Sequence, residues 1–191
     1  MNSSDKVIVL KTVRYSDDDL IIHGLNSQGA KISFFAKSAL KSKKRFGGGV
    51  LEPTHYIQAQ YRKKSEDSAL STLLEAKLLE AFEGLRKDYE RLETALYFLS
   101  LVDRVSHAED SKPLFDLLGN ALRAAETCQA PTLLKLHFEY KLLSLQGVLP
   151  QIQNSEIFLR PLRDNDHIRM EHPQRHQIQN QVSEVLTHYL S

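Results

Sequence analysis

Cysteine is nearly absent: Cys128 is the only one in 191 residues. An intrachain disulfide is therefore impossible, and a cysteine-based zinc site is excluded by count. No stretch approaches the roughly 18 consecutive apolar residues of a membrane helix, so no membrane role is expected. The start, Met1 to Lys6, lacks a basic segment followed by an apolar one, so nothing suggests export and the chain reads as cytoplasmic. Catalytic motifs are missing as well. Gly47-Gly48-Gly49 lacks the Lys-Ser/Thr that would make it a phosphate loop, and no Gly-x-Ser-x-Gly elbow occurs.

What is present is ordinary in amount and uneven in placement. Hydrophobic residues make up 41% and charged residues 26%, enough apolar material for a real core. The net charge of +1 hides an asymmetry. Residues 1–64 hold 12 Lys and Arg against 5 Asp and Glu, a net +7, which leaves −6 for the remainder. A basic module joined to an acidic one points to a polyanion partner for the first.

The first 80 residues read as strands. Val7-Ile8-Val9-Leu10 opens a β-branched run, Leu20-Ile21-Ile22 a second, and Gln28-Gly29 marks a turn before Lys31–Phe35. Leu40 to Gly49 is polar, basic and glycine-ended, which predicts a loop. His55 to Tyr61 alternates as a strand does. Leu70 to Phe82 is ambiguous between strand and helix; its first part is read as a fifth strand that closes a small barrel. From Arg86 the period becomes helical, with Tyr89, Leu92, Leu96, Leu99 and Val102 on one face. Further helices are predicted from about Pro113, from Pro131 to near Gly147, and from Gln174 to Leu190. The Pro131 helix is apolar all round and should lie at the centre of a bundle. The fold class is α+β: a β-barrel of oligonucleotide-binding (OB) type over 1–82, then an all-helical domain over 83–191.

The strongest local feature is the run from Lys37 to Gly49. Lys37, Lys41, Lys43, Lys44 and Arg45 could follow a phosphate backbone, and Phe46 could stack on a base. A solvated lysine-rich loop is the equally weighted alternative. Arg62, Lys63 and Lys64 form a second cationic run at a strand end, which on its own is more often just a solvated turn. Phe34, Phe35, Tyr56 and Tyr61 could add stacking, although strand alternation turns some of them into the core. Asp17-Asp18-Asp19 reads as an acidic turn. Asp164, Asp166, His167, His172 and His176 make a metal site or a hydrolase imaginable, but a polar loop is the better reading, and no metal or cofactor is expected. Cys128 reads as an ordinary helix residue.

The order of features resembles one family. Val9 to Asp19 looks like the opening of RecO proteins, with Asp17 where a Glu is usual. Gly29-Ala30-Lys31, Ala36-Lys37, Arg45-Phe46-Gly47-Gly48 and Leu51-Glu52-Pro53 resemble the stretch that follows. Glu75-Ala76, Leu78-Leu79-Glu80, Leu85-Arg86, Phe138-Glu139, Leu142-Leu143 and Gly147 continue the pattern to about residue 150. Ser38 and Leu40 stand where a Gly and a basic residue are common. Leu136 and His137 stand where many relatives carry Arg before Phe138-Glu139. The four cysteines of a zinc module found in many relatives are absent. The resemblance implies an OB fold, a helical C-terminal domain, and a protein that binds and anneals single-stranded DNA without bond-breaking chemistry. It also implies a recombination mediator of the RecF-type pathway in the nucleoid, working with RecR and the single-strand-binding protein to load RecA. A protein adaptor whose barrel docks a protein instead of DNA is the alternative.

Overall fold

A computed structural model describes residues 2–63 and 69–191. Two compact units emerge: Met1–Phe82 with Leu99–Phe115, and Glu83–Phe98 with Asp116–Ser191.

The first unit is a closed five-strand barrel. Its strands are β1 (Asn2–Arg14), β2 (Leu20–Asn26), β3 (Lys31–Ala36), β4 (Tyr56–Arg62) and β5 (Ser71–Glu80), in the order β1-β2-β3-β5-β4. β1 is long enough to pair with β2 through its second half and with β4 through its first. Closure comes from a short parallel contact, Phe34 with Ser71 and Phe35 with Thr72. All of Ser71–Glu80 is strand, which settles the ambiguous segment and leaves no long free edge. Alternate side chains fill the interior, among them Val7, Val9, Ile22, Phe34, Ile57, Tyr61 and Leu73.

The predicted loop from Leu40 to Gly49 is corrected: it contains a helical turn, α1 (Lys43–Phe46). Its cause is local and apolar. Phe46, together with Ala39, Val50 and Leu51, belongs to the barrel's core cluster, so the connection folds back to bury them. The segment Leu99–Phe115 packs with the barrel through polar ties to the β2–β3 turn. Lys31 Nζ reaches the Asp103 carboxylate at 2.6 Å and the Asp103 carbonyl at 2.7 Å, and the Lys31 amide donates to the His107 carbonyl. Gly29 in that turn has φ of 86°, and a side chain there would overlap the Ser111 carbonyl.

The second unit is helical. Its elements come from α2 (Tyr89–Val105), α3 (Lys112–Thr127), α4 (Pro131–Leu145) and α5 (His172–Leu190); Leu99–Val105 of α2 and Lys112–Phe115 of α3 count with the barrel. α4 is buried on every side, by Leu133, Leu134, Leu136, His137, Phe138, Tyr140, Leu142 and Leu143, as its all-round apolar pattern predicts. Phe138 stacks on Phe98 at 4.2 Å between ring centroids. Gly147, at φ 70°, ends the helix, and Val148 N–H donates back to Leu143 O. Two 3₁₀ turns, Glu156–Leu159 and Leu162–His167, carry the chain to α5.

Candidate nucleic-acid interface

Strand register decides which of the sequence's cations can act together. Across the barrel, Val13 pairs with Ile21, Ile21 with Phe35, Phe35 with Thr72, and Thr72 with Arg62. Paired residues point the same way. Because the neighbours Ile22, Phe34, Leu73 and Tyr61 are buried inside, this row lies on the outer face. Arg62 is therefore two strands from Phe35, about 10 Å at the usual strand spacing. Lys37, two residues past Phe35, and Arg62 therefore lie toward the same end of the barrel though distant in sequence.

That end carries an aromatic pair. β1 alternates outward through Lys11 and Val13 to Tyr15, which is 66% exposed. The Tyr15 ring meets the Phe35 ring edge-on, 5.6 Å between centroids. Of the aromatics predicted from sequence, Phe35 and Tyr56 are half-buried, whereas Phe34 and Tyr61 contact each other inside the barrel. Tyr15 was not among the candidates. Its signal was available: it continues the outward alternation of β1 to the edge of the acidic turn.

The β1–β2 turn and the connection after β3 are stitched together. The Tyr15 amide donates to Asp19 O at 3.0 Å, and Arg14 Nη2 donates to Asp17 O at 2.9 Å. Asp19 Oδ1 accepts from the Ser38 amide at 2.7 Å, and Asp18 O accepts from the Leu40 amide at 3.1 Å. The Ser38 amide, above all, holds the Asp19 carboxyl below its ordinary range, with Ser16 and Lys37 adding to it. The acidic turn thus works as a backbone clasp for the basic connection.

The clasp and α1 sort the predicted cations. Lys37, Lys43 and Lys44 are exposed. Lys41 is paired with the Asp18 carboxylate, so its charge is already matched. Arg45 is committed to structure: Nη2 donates to Lys37 O at 2.8 Å, Nε donates to Ser42 Oγ at 3.0 Å, and the guanidinium lies 4.9 Å from the Phe46 ring centre. Phe46 itself is 5% exposed. The expectation that it stacks on a base from the outer surface meets a ring packed in the barrel's core cluster, which leaves it little exposed there. Arg62 and Lys63 are exposed at the end of β4, and Lys64 lies outside the described residues. On the same outer face, His23 Nδ1 is 2.8 Å from Ser33 Oγ. Burial holds His23 below its ordinary value, opposed by Asp103 and reinforced by Lys31 and Lys11, so it is neutral near pH 7.

The remaining candidates are occupied elsewhere. Asp166 receives the Gln129 amide at 3.0 Å and the Cys128 thiol at 3.5 Å. Burial pushes that thiol up to about 11, which makes it an inert core residue. The His172 and His176 rings stack on each other, and His176 Nδ1 meets Asn180. Among the described residues no three His, Cys, Asp or Glu side chains converge as metal ligands, and no helix is long and apolar enough to cross a membrane.

Two family models match this chain: Recombination protein O N terminal over residues 1–82, and Recombination protein O C terminal over 86–172. The chain belongs to the RecO family. It is 30% identical over 167 residues to a DNA repair protein RecO of Thermodesulfovibrio yellowstonii, covering 86% of this chain and 65% of that one. It is 34% identical over 155 residues to that of Syntrophus aciditrophicus, covering 81% and 59%. The chain thus spans less than two thirds of the length of these RecO proteins. Ser38 adopts φ of 53°, in the left-handed region.

Proposed function

We propose that the barrel's outer face binds single-stranded DNA without base selection and speeds the annealing of complementary strands. The observation that carries this reading is the register row from Val13 to Arg62. It supports a face in which Arg62 lies two strands from Phe35, the exposed Tyr15 ring meets Phe35, and Lys37, Lys43 and Lys44 follow in the connection after β3. Cations there neutralise phosphates and release counterions, while the aromatic pair accepts any base. Backbone contacts leave Watson–Crick edges free, so two coated strands, no longer repelling each other, can pair. No bond is made or broken, and no cofactor or metal takes part. Within a cell the protein acts at the nucleoid with RecR and the single-strand-binding protein to load RecA, as the mediator role in DNA repair requires.

The test is fluorescence anisotropy with a labelled oligonucleotide over a salt series, followed by strand annealing read by energy transfer. With about four phosphate contacts, log affinity falls against log salt with a slope near −3, from roughly −0.7 per contact on single strands. Annealing accelerates without ATP and is unaffected by chelator. Salt-independent binding removes the reading. Tight binding without faster annealing replaces it with the adaptor role, in which the barrel recruits a partner.

A further inference from the structure

Between β1, the start of β2 and the connection that carries α1 lies a cavity of about 390 Å³. Its walls are apolar, from Leu20, Ala39, Leu40, Phe46 and Leu51, with the Gly47–Gly49 backbone on one side. Lys43 stands at the lining, and Leu40 is left 53% exposed. What sets Leu40 apart from a singly exposed apolar residue is that it borders this cavity and continues its apolar wall.

We propose that this cavity takes one unstacked base of the bound strand. The claim rests on the DNA-binding reading above and adds a second, concave subsite to it. The chemistry selects the occupant. The walls favour a flat apolar group, and the volume lies at the low end of small-molecule pockets, roughly 300–1,000 Å³, too small for a folded peptide element. Glu52 and Lys43 both stand in the lining, one acid and one base, so the cavity offers no net positive charge to hold a phosphate inside it. Lys43, with the exposed Lys44 next to it on α1, keeps the phosphates at the rim. An aromatic ring carried on an anionic backbone satisfies all three conditions. Turning a base out of a strand that is already single costs little. The Gly48 and Gly49 backbones, at φ of 72° and 70°, place no side chain over that wall from Gly48, and they hold the connection in a shape that only glycine adopts readily.

The experiment uses the full chain with labelled methyl groups, observed by NMR while a short single-stranded oligonucleotide is added. Leu20, Leu40 and Leu51 report the cavity; Val13 and Ile21 report the outer face. Both sets shift if the proposal holds. An abasic strand of the same length, which keeps its phosphates but has no bases, then leaves the cavity methyls unmoved. Leu40→Trp, at an exposed position and checked by thermal melting, closes the mouth and lowers affinity roughly fivefold or more, the low end of what one stacked base contributes. Shifts confined to Val13 and Ile21, with Leu40→Trp binding as tightly as the parent, overturn the cavity and leave the interface standing. Cavity shifts caused equally by the abasic strand overturn it too, because the occupant is then sugar-phosphate. No binding and no shift anywhere brings down the DNA-binding reading itself.

Discussion

In the barrel unit, Lys37, Lys43, Lys44 and Arg62 stand in water, whereas in the helical unit the notable polar groups are enclosed by the packing. There, the His137 imidazole is fully buried, and its Nε2 lies 3.0 Å from Arg160 O and 3.2 Å from Phe158 O. Both partners are carbonyls, so Nε2 carries the proton and the tautomer is fixed. Tyr97 donates to the half-buried Glu139, whose carboxyl burial pushes above its ordinary value. Arg91 holds Glu126 O at 2.8 Å and Cys128 O at 3.2 Å, closing off carbonyls at the end of α3. Polar chemistry in the helical unit fixes packing. In the barrel, beside the committed Lys31, Lys41 and Arg45, four exposed cations stay available to a ligand. Substitutions should therefore separate affinity from stability according to the unit they strike.

The largest effect is expected on DNA affinity. Replacing Lys37, Lys43, Lys44 and Arg62 together by Ala flattens the salt slope toward zero. At 0.7 per contact, affinity in ~0.1 M salt falls by roughly two to three orders of magnitude, with thermal melting almost unchanged. Lys41→Ala with Arg45→Ala is the contrast: both cations are already engaged within the protein, so affinity falls far less while stability drops by about 1 kcal/mol. If the two sets weaken binding equally in anisotropy titrations, the division into committed and available cations is wrong.

His137→Ala reverses the pattern. It leaves Phe158 O and Arg160 O without their donor and opens a cavity in α4's surroundings, a loss of about 3 kcal/mol in urea unfolding at unchanged DNA affinity. A pH dependence follows. Burial, chiefly, lowers the folded pKa of His137 below 6.5. Between the folded and unfolded values the unfolded chain binds more protons, so stability is complete above about 6.5 and declines as pH falls below it. His137→Gln cannot titrate, and the difference between parent and variant should shrink as pH drops from neutrality toward 5. A difference that is constant with pH shows that His137 does not carry this dependence.

The sequence made some of this legible and hid the rest for physical reasons. Barrel strands, the buried character of α4 and the cap at Gly147 were readable because alternation, all-round apolarity and a glycine each act within a few residues. The fate of Phe46 and Arg45 was not readable. A basic, glycine-ended run resembles a solvated loop, and only the barrel's need to fill its interior turns it into α1. Nor could Arg62 be placed beside Phe35, because that depends on the parallel pairing of β3 with β5, a long-range contact without a local signature. The pairing of Lys41 was also hidden, since its partner Asp18 is 23 residues away.

A smaller effect tests the aromatic part of the face. Tyr15→Ala removes a ring that is exposed and meets only the edge of Phe35, so stability should hardly move. Loss of one stacking partner should lower affinity about five- to tenfold, and Tyr15→Phe should restore it, because the ring and not the hydroxyl does the stacking. The salt slope should stay the same, since no charge is removed. A Tyr15→Ala variant that binds as the parent does would confine recognition to the cations.

The smallest effect concerns the clasp itself. Ser38 sits at φ of 53°, a conformation that costs an L-residue roughly 1–2 kcal/mol and glycine almost nothing. The strain persists because the backbone there is fixed from both sides: the Ser38 amide donates to Asp19 Oδ1 at 2.7 Å, and its carbonyl accepts from the Lys41 and Ser42 amides at 3.2 and 3.0 Å. Ser38→Gly relieves the strain but adds ~0.5–1 kcal/mol of unfolded-chain entropy. The balance is a gain of about 0.5 kcal/mol, a rise of roughly 1–2 °C in Tm for a chain of this length. DNA affinity and its salt slope should not change, because every backbone bond of the clasp survives and no charge is touched. A fall in Tm would mean that chain entropy outweighs the left-handed strain at this turn. A change in affinity at constant Tm would mean that the clasp sets the position of Lys37 closely enough for a single rotation to be felt by the DNA.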